Sequence, residues 1–359
     1  MNVGDALGVP EGITTDGKDG LYVSLFILDQ IWHVNPATGE KKKVADVPGG
    51  ELKGDLIGIE RDPTDTILAA FKRATKVDLF TEDHPDCRDA TDASTGIYRV
   101  NPQTGAVSPF VTRRTGVSLC FPDDIAIYPS GNVYVSDLEL GVIWKFDRAG
   151  HGGVRSDDPL LGWTEQTGTC NTKNGTVGGY IAVNSPDGRY LFAGTDGGPG
   201  GPTGSGLLVR IPIQADGSAG KADLFAAGLG ANDGLEVGPD GTVYFGDTYN
   251  SDVWAFSPDG SRRQLIASRD QFGDPLDNAT SLVFLNGCLY ETQLGFFKLQ
   301  LGKANETLRN VVEICKFGNP AENGTYTPRP VLETSPPTPR PPAARATHPQ
   351  FSTLGRGQP

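Results

Sequence analysis

Asn232-Asp233-Gly234-Leu235-Glu236-Val237-Gly238-Pro239-Asp240-Gly241-Thr242-Val243-Tyr244-Phe245-Gly246-Asp247 is the stretch from which the fold can be read. A polar start leads into a short apolar strand, a Pro-Asp-Gly turn, a second strand and a terminal Asp. Asp-Gly between alternating apolar segments is a strong hairpin signal, because the turn needs a positive φ that Gly adopts without strain. The pattern returns at Pro122-Asp123-Asp124-Ile125-Ala126-Ile127-Tyr128-Pro129-Ser130-Gly131-Asn132-Val133-Tyr134-Val135-Ser136-Asp137. It returns again at Pro10-Glu11-Gly12-Ile13-Thr14-Thr15-Asp16-Gly17, followed by Leu21-Tyr22-Val23-Ser24. The chain is built from repeats.

Each repeat continues into a third strand of recurrent form. Gln30-Ile31-Trp32-His33-Val34-Asn35-Pro36-Ala37-Thr38-Gly39 is matched by Gly96-Ile97-Tyr98-Arg99-Val100-Asn101-Pro102-Gln103-Thr104-Gly105, with weaker copies from Val142, Leu207 and Val253. A fourth strand follows at 42–47, 107–112, 222–227 and 263–267. Short antiparallel strands in fours at this period predict an all-β, six-bladed β-propeller of four-stranded antiparallel blades. The first hairpins begin near Glu11, Leu56, Asp123, Tyr180, Asp233 and Thr280, and the propeller occupies residues 1–325. Two insertions interrupt the period, an acidic one at 73–95 and a Gly-, Thr- and Asn-rich one at 150–177. Residues 326–359 are Pro-rich without apolar periodicity and read as a disordered tail.

Composition narrows the function classes. Forty-eight glycines and 27 prolines imply many turns and little long helix. A formal net charge of −13 opposes a nucleic-acid partner and suits a cation ligand. No stretch approaches the roughly 18 apolar residues of a membrane span. Met1-Asn2-Val3-Gly4-Asp5 carries neither a basic nor an apolar leader segment, so the expectation is a cytoplasmic protein or a secreted one whose signal has been removed. Sequons at Asn174, Asn278, Asn305 and Asn323 tilt toward secretion. Cys87, Cys120, Cys170, Cys288 and Cys315 are odd in number and form no CxxC pair, so a zinc site is not expected. Buried free thiols are the favoured reading, with Cys120–Cys170 or Cys288–Cys315 disulfides as the alternative.

In a propeller the innermost strands line a central channel, so equivalent residues form a ring at its mouth. That ring reads Glu11, a Leu56/Ile57 position, Asp123, Tyr180, Asp233 and Thr280, with Ser24, Asp137, Asp196 and Asp247 just outside. Converging carboxylates repel unless they are protonated or neutralised by a cation. An all-oxygen set points to one divalent cation, Ca²⁺ first, with Mg²⁺, Mn²⁺ or Zn²⁺ behind. Glu11, Asp123 and Asp233 are the candidate metal ligands. Phe121, Tyr180, Asn232, Thr280, Asp137 and Asp247 are the candidate substrate-lining residues, although Asp137 and Asp247 also suit turn capping. Asp124, Asp187 and Asp240 read as turn residues. No histidine falls in the ring, and there is no Gly-x-Ser-x-Gly elbow.

Through Pro10-Glu11-Gly12, Pro122-Asp123-Asp124 and Asn232-Asp233-Gly234, over about residues 8–316, the chain resembles the senescence-marker-protein/gluconolactonase (regucalcin-like) superfamily of six-bladed propellers. The resemblance implies a divalent cation at the channel mouth, a lactone or related ester substrate, and an Asp that is both ligand and base. Glu11 matches that family's first-blade Glu ligand and Asp233 its fifth-blade Asp. Asp123 stands where the family has a substrate-contacting Asn, Tyr180 where it has a ligand Asn, and Phe121 where sugar-lactone-binding members have Arg. The last change favours a less polar substrate.

The leading expectation is a monomeric, metal-dependent lactone or ester hydrolase with Asp233 or Asp123 as the catalytic base. A metal-independent, strictosidine-synthase-like bond-forming enzyme and a non-catalytic binding propeller are the alternatives.

Overall fold

The computed structural model describes residues 9–49, 52–74, 92–115, 117, 119–138, 142–154, 181–184, 187–195, 206–248, 250–268, 279–294 and 311–314. The regular elements among them are strands, save one 3₁₀ turn at Arg113–Thr115. They fall into successive antiparallel sheets, each built from strands consecutive in sequence. The first holds β1 (Pro10–Thr15), β2 (Leu21–Leu25), β3 (Gln30–Val34) and β4 (Lys41–Asp46). The second holds β5 (Gly54–Arg61), β6 (Ile67–Arg73), β7 (Gly96–Val100) and β8 (Val107–Thr112). The third holds β9 (Pro122–Ile127), β10 (Val133–Asp137), β11 (Val142–Phe146) and β12 (Gly152–Val154). Next come β13 (Ile181–Asn184), β14 (Tyr190–Thr195), β15 (Gly206–Pro212) and β16 (Asp223–Leu229). The fifth comprises β17 (Asn232–Val237), β18 (Val243–Asp247), β19 (Asp252–Phe256) and β20 (Arg263–Ser268). The last described sheet has three strands, β21 (Ala279–Leu285), β22 (Cys288–Gln293) and β23 (Val311–Ile314).

The repeats seen in sequence reuse the same local chemistry. Asp240 Oδ1 accepts from Thr242 N at 3.0 Å, and Gly241 takes φ 82°. After the third strands, Asn35 Oδ1 accepts from Ala37 N and Thr38 N at 3.0 Å, and Asn101 Oδ1 accepts from Gln103 N and Thr104 N at 3.0 and 2.9 Å. These Asx turns satisfy backbone donors that the ladders leave over.

The innermost strands β1, β5, β9, β13, β17 and β21 pack side by side in that order, and β21 returns to β1. Closure is hydrophobic: Ile13, Leu21, Val23, Leu25 and Val34 of the first sheet share a buried cluster with Val283, Leu285 and Tyr290 of the last. A closed circle of twisted sheets leaves only short outer edges exposed, which is the logic of a β-propeller.

Several sequence expectations change. Residues 152–154 fall within the expected 150–177 insertion, yet they form β12, the outer strand of the third sheet. Cys120 and Cys288 are each disulfide-bonded, which overturns free thiols for these two. Asp124 is no turn residue; it lies inside the channel. Tyr180, Asp196, the greater part of both expected insertions and the expected tail lie outside the described residues.

One buried group in this fold carries a pH signature. Glu291 on β22 is fully buried, and neither of its oxygens has a hydrogen-bond partner. Burial pushes its carboxyl up to about 8, against a smaller opposing influence of Gln293. Because the folded state holds this proton more tightly than the unfolded chain, the associated stability is complete below the ordinary carboxylate pKa and is lost as pH rises through about 8. Glu291→Gln is expected to remove up to about 1.4 kcal/mol per pH unit of that slope. Thermal melts between pH 5 and 8 should show the variant gaining on the parent as pH rises, and parallel curves would refute the assignment.

Candidate metal centre

Antiparallel pairing of five of the six innermost strands with their neighbours is interrupted at one place, while the described residues of β13 pair with β14 without a shift. The register shifts between Pro10 and Ile13, between Leu56 and Ile59, between Asn232 and Leu235, and between Ala279 and Leu282. In the third sheet the shift falls opposite Val135 and Asp137. These are β-bulges, which bend a strand and re-aim its side chains. The residues inside them are the ring positions: Glu11, Ile57, Asp123, Asp233 and Thr280.

Glycine lets the bulges nest. A Cβ on Gly12 would stand 2.5 Å from Ile57 O, one on Gly58 2.3 Å from Asp123 O, and one on Gly234 2.2 Å from Thr280 O. Ile57, Asp123 and Thr280 are therefore seated against the bulges before them. Hydroxyl groups on the second strands tie the same layer together. Ser24 Oγ accepts from Gly12 N at 2.7 Å and donates to Ile57 O at 2.6 Å. Ser136 Oγ accepts from Asp124 N at 2.8 Å, and Thr292 Oγ1 accepts from Ser281 N at 3.0 Å and donates to Glu11 O.

The result is a cluster of three carboxylates from β1, β9 and β17. One oxygen each of Glu11, Asp123 and Asp233 lies within 4.8 Å of the others. Glu11 and Asp123 are buried, and Asp233 is half-buried. At that spacing two ionised groups repel by about 3 kcal/mol at an effective dielectric of 20. The Glu11 carboxyl is accordingly held well above its ordinary range, first by burial and then by the charges of Asp233, Asp123, Asp124 and Asp55. Glu11 Oε2 is buried without a hydrogen-bond partner. An orphaned carboxylate oxygen inside an all-oxygen cluster fits a hard divalent cation.

A second acidic layer lies deeper. Glu60, Asp124 and Glu236 line a cavity of about 30 Å³ with Ile13, Ile59 and Leu235, enough for one or two waters. Burial pushes Glu60 up to about 8 and Asp124 up to about 7, and it lifts Glu236 well above the usual range with the help of Glu60 and Asp124. Thr14 donates to Glu60 Oε2 at 3.2 Å.

The other expected site residues are placed differently. Thr280 is fully buried, and its hydroxyl donates to Glu11 O at 3.2 Å, so it holds the ligand strand. Asn232 Nδ2 donates to Gly234 O and Gly246 O at 3.0 and 3.3 Å, and its Oδ1 occupies the space that a Cβ on Gly194 would take. Asp247 accepts from Asn250 N and Nδ2 at 3.1 and 2.8 Å. Asp137 is fully buried; its carboxylate accepts from Cys120 N at 2.8 Å, Phe121 N at 3.0 Å and Trp144 Nε1 at 3.1 Å. Asp137 and Asp247 are thus clamps on the mouth loops.

Sequence reading missed Lys72 and Asp55. Lys72 is 1% exposed at the end of β6, donates to Cys120 O at 2.6 Å, and places Nζ 5.7 Å from the centroid of the half-buried Phe121 ring. Asp55 is fully buried opposite it in the ladder. A charged residue closing the apolar run Ile67-Leu68-Ala69-Ala70-Phe71 was the available signal. Together Lys72 and Asp137 grip the backbone just ahead of Asp123 from both its carbonyl and its amide sides.

No protein-family model matches the chain, and no curated protein matches it in sequence. Its likeness is to solved structures with β-propeller folds. The calcium-binding protein regucalcin from Agrobacterium tumefaciens is 15% identical with a TM-score of 0.56, over 87% of this chain and 92% of that one. A gluconolactonase from Xanthomonas campestris is 14% identical with a TM-score of 0.56, over 82% and 86%. An auxiliary nutrient binding protein from Bacteroides thetaiotaomicron is 10% identical with a TM-score of 0.58, over 86% and 70%. The regucalcin- and gluconolactonase-like architecture expected from the sequence is therefore met at the level of fold.

Asp137→Asn puts an amide N–H where the carboxylate accepts, leaving one of three buried donors unsatisfied. The expected cost is about 1–3 kcal/mol of stability, together with a several-fold weaker Ca²⁺ affinity as the Asp123 arm loosens. Calorimetric Ca²⁺ titration beside thermal melts checks both, and unchanged affinity in the destabilised variant would separate the clamp from the site.

Proposed function

We propose that the protein is a metal-dependent hydrolase of lactones or related esters, built on a six-bladed propeller with its site at the channel mouth. The observation that carries the reading is the convergence of Glu11, Asp123 and Asp233, with Glu11 Oε2 buried and unpartnered. Those three residues would hold one divalent cation, Ca²⁺ first, and such an ion supplies Lewis-acid polarisation of an ester carbonyl. Asp233 is the most accessible of the three, so its carboxylate is the one suited to take a proton from water. Glu11 and Asp123, buried and backed by rigid bulges, orient and retain charge. Phe121, whose peptide link to Cys120 is gripped at both its carbonyl and its amide, shields the site from bulk water.

The disulfides at Cys120 and Cys288 support a secreted location. The ligand is a small molecule and the protein acts as a monomer. A non-catalytic binding propeller is the second reading, favoured by the likeness in fold to a nutrient binding protein.

The test is hydrolysis of a lactone and ester panel, followed by proton release before chelation, after it, and with Ca²⁺, Mg²⁺, Mn²⁺ or Zn²⁺ restored. Activity is expected to vanish on chelation and return with one ion. Asp233→Asn should lower kcat by about 10²-fold or more, with circular dichroism unchanged, and Glu11→Gln should weaken ion binding. Turnover indifferent to both chelation and Asp233→Asn would reject the mechanism. Absence of any turnover, with tight small-molecule binding, would select the binding propeller.

A further inference from the structure

The ring is chemically one-sided. Between Glu11 and Asp123 the second sheet contributes Ile57, a buried apolar residue, where the first, third and fifth sheets contribute carboxylates. Two half-buried aromatic rings flank this sector. Phe121 precedes Pro122 and Asp123 on the far side. Phe26 stands on the near side: its N–H donates to Val9 O at 2.8 Å, and its carbonyl accepts from Leu56 N at 3.1 Å. Its backbone therefore bridges the residues leading into Glu11 and Ile57. Both rings pack against one buried cluster that includes Ile57 and Leu119.

The apolar surface extends outward. Phe26 opens the turn Phe26-Ile27-Leu28-Asp29 between β2 and β3, and its first three residues are all partly exposed. Asp29, at φ 54°, holds that turn to the second sheet by accepting from Gly54 N at 3.3 Å. Two residues ahead of Gly54 stands Leu52, 40% exposed and, with Leu224, one of two large hydrophobic residues so exposed among those described. Phe26 and Leu28 each pack in part against a buried cluster, and the apolar area that they leave in water with Ile27 and Leu52 is costly unless something covers it. Behind this wall Lys72 is 1% exposed with its ammonium donating to Cys120 O, and the charge at the rim is that of Lys53, exposed beside Leu52.

We infer that Phe26, Ile27, Leu52 and Phe121 form the subsite for an apolar substituent, an alkyl chain or aryl group carried on the lactone or ester, with Ile57 as its floor. This rests on the hydrolase reading above and specifies its substrate class. The carboxylates hold the polar end of the substrate, and the wall on the second-sheet side takes the chain.

The experiment compares γ-lactones of increasing side-chain length, from γ-butyrolactone to γ-decalactone, with a polyhydroxylated lactone, using the full chain in millimolar Ca²⁺. In parallel, calorimetry measures binding of straight-chain carboxylates from butanoate to decanoate, which cannot be hydrolysed. The kcat/KM is expected to rise about fourfold for each early methylene. Phe121→Ser and, independently, Phe26→Ser should flatten that rise while melting like the parent to within a few degrees. Hydrolysis without chain dependence, or faster turnover of the polyhydroxylated lactone, would overturn the subsite and leave the hydrolase reading standing. Carboxylate affinity that climbs with chain length in the parent and not in the variants, without hydrolysis of any lactone, would keep the subsite and remove the hydrolase reading. No hydrolysis of any lactone together with no chain dependence of carboxylate affinity would end both.

Discussion

Repulsion among three carboxylates drawn to one axis is the constraint that the rest of this structure answers. Each pair opposes the fold by a few kcal/mol, comparable with a sizeable share of a domain's net stability. Such an arrangement persists only where the backbone has no easy way to relax. Here the supports are the bulges, the glycines through which three of them nest on the next, and the hydroxyl groups of Ser24, Ser136 and Thr292 that pin bulge amides and carbonyls. The hydrophobic layers between sheets, closed by Ile13 and Val23 against Val283 and Tyr290, supply the stability against which the strain is set.

That support is uneven around the ring, and the unevenness has chemical meaning. The backbone leading into Asp123 is held most elaborately, by a buried aspartate on the Cys120 and Phe121 amides, a buried lysine on the Cys120 carbonyl and a disulfide at Cys120. Glu11 is held through its carbonyl by Thr280 and Thr292. Asp233, less enclosed than the other two, is the member of the set with room to meet a reactant. Two rigid carboxylates beside one more accessible carboxylate form the division of labour that the proposed hydrolase would need, to bind an ion and also move a proton.

The strands and their grouping were legible because Asp-Gly turns and alternating apolar residues act within a few residues of one another, and they recur. Glu11, Asp123 and Asp233 were legible for the same reason: a shared position in a repeat becomes a shared height in the channel. The mouth clamps were harder to assign. Asp137 and Asp247 occupy repeat positions as regular as those of the ring carboxylates, but they end the second strands, where their carboxylates meet loop amides. Lys72 and Asp55 gave weaker signals still, since their partners come from distant parts of the chain. The outer strand β12 escaped notice because its three residues, Gly152, Gly153 and Val154, lack any alternation to detect.

The deep carboxyl groups also change what this molecule is to its surroundings. Asp29, Glu60 and Glu291 each titrate near 8, so at neutral pH they are largely uncharged. Glu11 and Glu236, held well above their ordinary range, add to this, so the folded protein carries fewer negative charges than the formal −13 of its sequence. Its electrophoretic mobility, its ion-exchange retention and the cloud of counterions around it follow this smaller charge. Unfolding releases those protons, so the chain becomes more acidic in character at the moment it loses its shape.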